Sequence, residues 1–333
     1  MDHGMKKIIR IQQPDTAPFN LTWIINNICT NQCSYCPENL HNGTNHNYEW
    51  ANAKRFLTDL FARYPNIHCS VAGGEPSLSP FFEELVLMFK ENNSTIGITS
   101  NAAKPASYWE RVSPNLSYIS FSWHAEFIDA RFREKVIAAA KNTRVTVRIM
   151  MHPKHWQRSL EELYWWEKNP YVLTEPVRIL DWGATNTDPD SWKYTDEQLE
   201  IFNAHKNMNN QVAKDYHSAM DIKIPDMWAD FYFDDGSSDI EHRNVVPFIN
   251  QGQTNFYGYK CEAGLRGMQV NPKGMIYLAN CLSGGYIGSI NKPEKIKWPT
   301  GPITCDKQIC NCASDVLVTK WLEQKDQLNE KSN

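Results

Sequence analysis

Eight of the nine cysteines in this 333-residue chain fall in two groups. Cys29, Cys33 and Cys36 lie within eight residues near the start, and Cys261, Cys281, Cys305, Cys310 and Cys312 lie within 52 near the end. The count is odd, and the opening MDHGMKKIIRIQQPD has neither an apolar core nor a small-residue cleavage site. Both features argue against a secreted disulfide framework and for a reducing, cytoplasmic setting, where clustered thiols point to metal. In the first group the number three matters. A structural zinc site is closed by four ligands, whereas three thiolates on one loop leave a coordination position open for chemistry. Soft thiolates suit zinc, copper(I) or an iron–sulfur cluster, and the spacing favours the last. Cys69 stands apart among apolar neighbours in a strand-like run and reads as a small buried hydrophobe.

Other residues that can do chemistry are more scattered. Gly73-Gly74-Glu75-Pro76 follows a β-rich run; two glycines there let backbone approach a ligand, and the carboxylate can meet a cation, although an ordinary turn would look the same. His124 and Glu126 follow another such run, and Asp181 and Trp182 another; His124 or Asp181 can accept a proton from a substrate. His152 and His155 have metal-like spacing but read as a solvated loop. Most of the twelve tryptophans read as core.

These residues need a scaffold. With 34 basic and 38 acidic residues the net charge is −4, which argues against a nucleic-acid surface, and 41% hydrophobic with 12% aromatic content argues against disorder. No apolar run approaches 18 residues, so no membrane helix is expected. Strand-like runs at Asn20–Asn26, His68–Ala72, Thr95–Ser100, Tyr118–His124, Val145–Met151 and Val177–Asp181 alternate with helical stretches near 48–63, 80–91, 127–141 and 158–167. In the second of these helices Phe81, Phe82, Leu85, Val86 and Phe89 share a face, with Ser79 as N-cap and Pro80 at the first helical position. Such alternation calls for an α/β fold with parallel strands and helical crossovers, six units being short of a closed eight-fold barrel. Residues 183–255 have no clear period and read as a connector of unknown shape, apart from a capping box at Thr195 and Gln198. Gly267–Ala279 reads as a hairpin turning at Asn271-Pro-Lys-Gly274, and 317–333 as a charged helical tail.

Taken together, Cys29-x₃-Cys33-x-Tyr35-Cys36 after the first strand and Gly73-Gly74-Glu75-Pro76 after the second resemble the radical S-adenosylmethionine (SAM) superfamily, over residues 18–182. The resemblance implies a partial (β/α)₆ barrel in which Cys29, Cys33 and Cys36 ligate a [4Fe–4S] cluster and SAM binds its fourth iron. It implies that Tyr35 lies against the adenine, that Gly73, Gly74 and Glu75 hold the methionyl amino group, and that Ser100 and Asn101 hold ribose or carboxylate oxygens. Ser122 and Arg148 are weaker candidates; Arg148 would pair with the methionyl carboxylate. The implied chemistry is one-electron cleavage of SAM to a 5′-deoxyadenosyl radical, with the electron from a flavodoxin or ferredoxin, followed by hydrogen abstraction from substrate.

For the second cysteine group, spacing around a hairpin alone suits a zinc ribbon. Cys261-x-Ala-Gly followed by a hairpin and Cys281 is similar to the SPASM/twitch extensions of radical SAM enzymes. That similarity implies a twitch domain over 256–316 with one auxiliary [4Fe–4S] cluster, held by Cys261 and Cys281 with Cys310 and Cys312 preferred and Cys305 as substitute. The function expected is dehydrogenation or epimerisation of a small molecule such as a sugar, cyclitol or nucleotide derivative. A peptide-modifying enzyme and a non-catalytic iron–sulfur protein are the alternatives.

Overall fold

A computed structural model describes residues 6–43, 48–179, 193–206, 210–225 and 227–323. Asp181 and Trp182, and the stretch after Glu323, lie outside the described residues. Along the chain come β1 (Ile8–Gln12), β2 (Phe19–Ile24), α1 (Trp50–Arg63), β3 (Ile67–Ala72), α2 (Phe82–Glu91), β4 (Thr95–Ser100), α3 (Ala106–Val112), β5 (Tyr118–His124), α4 (Phe132–Ala140), β6 (Arg144–Met150), α5 (Trp156–Glu167), β7 (Leu173–Val177), α6 (Asp196–Lys206) and α7 (Gln211–Ala219). They are followed by β8 (Ala229–Phe233), β9 (Ser238–His242), α8 (Val246–Asn250), β10 (Lys260–Cys261), β11 (Gly267–Val270), β12 (Met275–Tyr277), β13 (Tyr286–Ser289), β14 (Ile303–Thr304), α9 (Ala313–Leu317) and β15 (Lys320–Trp321). The chain divides into two compact units, one of residues 24–47 and 70–224, the other of 1–23, 48–69 and 225–333.

In the unit of residues 24–47 and 70–224, β4, β5, β6 and β7 lie side by side and parallel, each reached through a helix. Parallel strands need such crossovers, and their odd-numbered residues Ile119, Phe121, Val145, Val147 and Ile149 are fully buried. On the other face Ser122, Arg148 and Glu175 form one register row, and His124, Met150 and Val177 the next. α2 starts later than its sequence signals suggest. Pro76–Leu78 forms a 3₁₀ turn that ends at Ser79, and the residue preceding α2 is Phe81, which supplies no side-chain cap. The apolar face of Phe82, Leu85, Val86 and Phe89 is buried as the pattern requires. β7 also differs from expectation, running Leu173–Val177 rather than Val177–Asp181. It includes Pro176, whose missing N–H is tolerated because β7 is the last strand in the order. At α6, Thr195 and Gln198 form the reciprocal capping box: each backbone N–H donates to the other's side-chain oxygen, at 3.1 and 3.2 Å.

The second unit holds a six-stranded sheet of order β14-β10-β15-β1-β8-β9 and the run β13-β12-β11-β2. β11 and β12 form the expected hairpin, and Gly274 takes φ +72° as its N–H donates to the Asn271 carbonyl at 2.9 Å. The segment read as a shapeless connector contributes β8 and β9, and the expected helical tail instead contributes the strand β15, which pairs with β1 and β10.

Candidate functional site

The loop after β2 carries Cys29, Cys33 and Cys36, and the loop after β3 carries Gly73 and Gly74; both reach one open cavity of about 1290 Å³, solvent-open space included. The floor comes from strand ends: Ser100 and Asn101 at the end of β4, Ser122 and His124 on β5, Met150 on β6, and Val177 to Ile179 at the end of β7. This is the place where an open parallel sheet positions ligands, at the carboxyl ends of its strands.

The two loops are stitched backbone to backbone. Gly74 N–H donates to the Asn26 carbonyl at 3.0 Å and Glu75 N–H to the Ile28 carbonyl at 2.7 Å. A side chain on Gly74 would meet the Ile28 oxygen at 2.4 Å, so only glycine permits this approach. Glu75 itself does not line the cavity. Its fully buried carboxylate accepts hydrogen bonds from Ser77 N–H (2.9 Å), Ser77 Oγ (2.5 Å), Ser100 Oγ (2.8 Å) and Asn101 N–H (2.6 Å). Burial pushes its acidity down, raising the pKa, and the four donors oppose that shift. Its side chain therefore braces the ends of β3 and β4.

The thiols share a common electrostatic problem. Burial pushes Cys33 up to about 12 and Cys36 up to about 11, and raises Cys29 as well. Cys33 is buried and Cys29 and Cys36 are partly so, and a nearby cation would offset the cost of ionising them. Asn101 Nδ2 and the Asn31 N–H lie 3.5 and 3.4 Å from Cys29 Sγ, donors suited to a ligating sulfur. Tyr35 OH meets His124 Nδ1 at 2.5 Å, with the rings stacked. Burial and the neighbouring cysteines keep Tyr35 a phenol, so it donates and Nδ1 accepts. Burial also lowers His124 to about 4, so its imidazole is neutral, and the same Nδ1 lies 3.5 Å from Cys33 Sγ.

Glu126 was noted in the sequence without its partner. Its carboxylate accepts from Ser34 N–H (2.9 Å) and Ser34 Oγ (2.5 Å), clamping the cysteine loop from the end of β5. Glu126, His152 and His155 bring ligand atoms within 4.8 Å of one another. His152 Nδ1 accepts the Lys154 N–H, which leaves the ring proton on Nε2, 3.4 Å from Glu126. Glu126 and His152 are thus paired, with no lone pair of His152 directed at a metal, and the His155 ring packs against that of His152. Arg148 stands in the register row of Ser122, on the cavity-facing side of β6, and its Nε donates to Glu175 at 2.9 Å. Arg178, which lines the cavity, escaped the sequence reading because it follows a strand whose position was misjudged.

In the other unit, Cys261, Cys281, Cys305 and Cys310 line one cavity of about 460 Å³ of atom-free space, together with Asp315 and Lys320. Cys312 is not on its wall; its Sγ lies 3.1 Å from Ser314 Oγ. Burial pushes Cys281 and Cys310 up to about 12 and raises Cys261 and Cys312. A tetrahedral zinc with bonds of about 2.3 Å brings its sulfurs to about 3.8 Å. Among the described residues no three of these thiols bring their sulfurs within 4.8 Å of one another. Asp315 and Lys320 were missed, although a lone lysine in the apolar run Val316-Leu-Val-Thr-Lys-Trp321 is a signal of a buried charge.

The structure of native anSMEcpe with bound AdoMet and Cp18Cys peptide is 13% identical, over 82% of this chain and 78% of its own, with a TM-score of 0.51. The corresponding complex with the Kp18Cys peptide is 14% identical over the same shares, with a TM-score of 0.50. Streptococcus suis SuiB bound to S-adenosylmethionine is 14% identical over 84% of this chain and 64% of its own, with a TM-score of 0.48. No match to a curated protein sequence was found. Residues 23–164 match the family model of the radical SAM superfamily, a span that includes the three cysteines, Gly73 to Glu75 and the strand ends around them. Over those residues the chain is similar to the radical SAM superfamily.

Proposed function

We propose that the protein is an enzyme that cleaves S-adenosylmethionine reductively at a [4Fe–4S] cluster held by Cys29, Cys33 and Cys36. The single observation that carries this reading is the convergence on one cavity of three thiols and the Gly73-Gly74 loop, all within the span similar to the radical SAM superfamily. When bound, the cluster supplies one electron that breaks the C5′–S bond, giving methionine and a 5′-deoxyadenosyl radical that takes hydrogen from substrate. The chain's own residues bind and orient. Gly73 and Gly74 offer backbone at the cavity wall, Ser100, Asn101 and Ser122 offer polar groups, and Tyr35 offers an aromatic edge fixed by His124. Arg148 and Arg178 are the cations for a carboxylate; of these Arg178 is already on the wall.

The Cys261, Cys281, Cys305 and Cys310 cavity is assigned to an auxiliary [4Fe–4S] cluster. Four cysteines meet there and Cys312 does not, so we replace the sequence-based preference for Cys312 by Cys305. Such a cluster suits net two-electron oxidation or epimerisation of a small molecule, because it can accept or return the second electron. A peptide substrate is the second reading, favoured by the anSMEcpe complexes, which share the fold and hold peptides. The external electron donor is a flavodoxin or ferredoxin. The test is 5′-deoxyadenosine yield from anaerobically reconstituted protein, SAM and dithionite, with metabolite or peptide fractions added. A fraction that raises the yield names the substrate class. If neither raises it, both substrate readings fail.

A further inference from the structure

Lys320 presents an unusual physical situation. It is 1% exposed, on a two-residue strand within the core of its unit. In register it faces Ile11 on one side and Cys261 on the other. Residues opposite each other on neighbouring antiparallel strands carry their side chains on the same face, with Cβ atoms about 4.5–5.5 Å apart. The ammonium donates to the backbone carbonyls of Asp315 (2.6 Å) and Val316 (2.8 Å) and lies 4.7 Å from the centre of the Phe256 ring. No carboxylate forms an ion pair with it among the described residues. The nearby Asp315 carboxylate is turned elsewhere, accepting from Asn280 Nδ2 (2.9 Å) and Cys281 N–H (2.8 Å).

A buried ammonium held only by neutral carbonyls and a ring face carries a desolvation penalty. Packing alone would be served by methionine or leucine at this position. What the lysine does have is a place on the wall of the four-cysteine cavity, directly beside Cys261. A metal–thiolate group with four cysteine ligands is anionic overall, whether its core is [4Fe–4S]²⁺ or a single divalent ion. Its charge and that of Lys320 then neutralise each other inside a low-dielectric site, where such an interaction is strong.

We propose that Lys320 is the built-in counter-charge of the metal–thiolate group in this cavity and raises its reduction potential. This rests on the auxiliary-cluster assignment above. Adding an electron makes the group more negative, so a fixed adjacent cation favours the reduced form. Lys320 acts through the cluster and is a positioning and tuning residue.

The experiment uses the full chain carrying Cys29→Ala, Cys33→Ala and Cys36→Ala, so that only C-terminal iron is observed, reconstituted anaerobically and titrated potentiometrically by EPR. Lys320→Gln keeps donors for the two carbonyls but removes the charge, Lys320→Met removes both, and Lys320→Arg restores the charge. Lys307→Met, next to the same cysteines but on a half-exposed side chain, is the surface control. The expected result is a more negative midpoint for K320Q and K320M, a return toward the parent value for K320R, and no shift for K307M. Retained iron with an unchanged midpoint in K320Q overturns the role of Lys320 and leaves the cluster assignment standing. Absence of iron and sulfide from the triple-alanine parent overturns the cluster assignment and the inference with it. If the triple variant does not fold, the same shift is read in the wild-type cysteine background from the second of two EPR signals, and its absence is equally contrary.

Discussion

The buried carboxylate of Glu75 accepts the backbone N–H of Asn101 at 2.6 Å, joining the loop after β3 to the end of β4. Three further donors converge on the same side chain, so the acid of the Gly-Gly-Glu-Pro motif faces into the scaffold while the two glycines face the cavity. Glu75→Gln replaces one accepting oxygen by an NH₂ group among N–H and O–H donors. Leaving such donors buried and unpaired lowers stability by about 2–4 kcal/mol. Urea unfolding of the metal-free variant measures this, and a loss below about 0.5 kcal/mol would contradict the bracing role.

Gly74→Ala tests the close approach of the two site loops. The new Cβ would stand 2.4 Å from the Ile28 carbonyl oxygen and 2.7 Å from that of Leu40, backbone atoms that cannot swing aside. The loops must separate, so the variant loses cluster retention and SAM affinity by more than tenfold. Iron content and equilibrium SAM binding check the two effects; wild-type values for both would refute the geometry.

The C-terminal cysteines separate by position. Cys310→Ser removes a thiol from the cavity wall and is expected to abolish C-terminal iron binding, whereas Cys312→Ser changes a thiol that faces Ser314 and leaves the iron in place. Iron and sulfide analysis distinguishes the two variants, and the reverse pattern would return the ligand set to Cys312.

Burial lowers His68 from 6.5 to about 4. A histidine with a depressed folded pKa contributes stability that is complete above 6.5 and lost as pH falls toward 4, because the unfolded chain binds the proton more readily. The shift corresponds to about 3 kcal/mol. His68→Gln is therefore expected to flatten the fall in unfolding free energy between pH 6.5 and 4 by about that amount; an unaltered slope would contradict it.

The parts of this molecule that are local in sequence are legible there. β4 and β5 have the bounds that their Ile-, Thr- and Phe-rich runs predict, and the hairpin turns where Gly274 permits φ +72°. Ser79 and Pro80 misled because Ser79 closes a 3₁₀ segment that runs Pro76–Leu78 and α2 begins only at Phe82. β1 and β15 were missed because they are short and pair with each other from opposite ends of the chain, so no local period announces them, whereas β8 does alternate in burial and pairs with its neighbour β9. The site shows the same division. The three cysteines and two glycines are chemically distinctive, while Glu126 clamping Ser34 and Lys320 facing Cys261 depend on register and loop closure.

Cys29, Cys33 and Cys36 are proposed to hold the cluster that cleaves SAM. The most direct test is the yield of 5′-deoxyadenosine from reconstituted wild-type protein with SAM and dithionite, beside Cys33→Ala prepared identically and shown by circular dichroism to be folded. Formation of 5′-deoxyadenosine by the wild type and its loss to background in Cys33→Ala is the predicted result. Equal yields from the two proteins, or none from wild type with a spectroscopically verified cluster, would contradict the account.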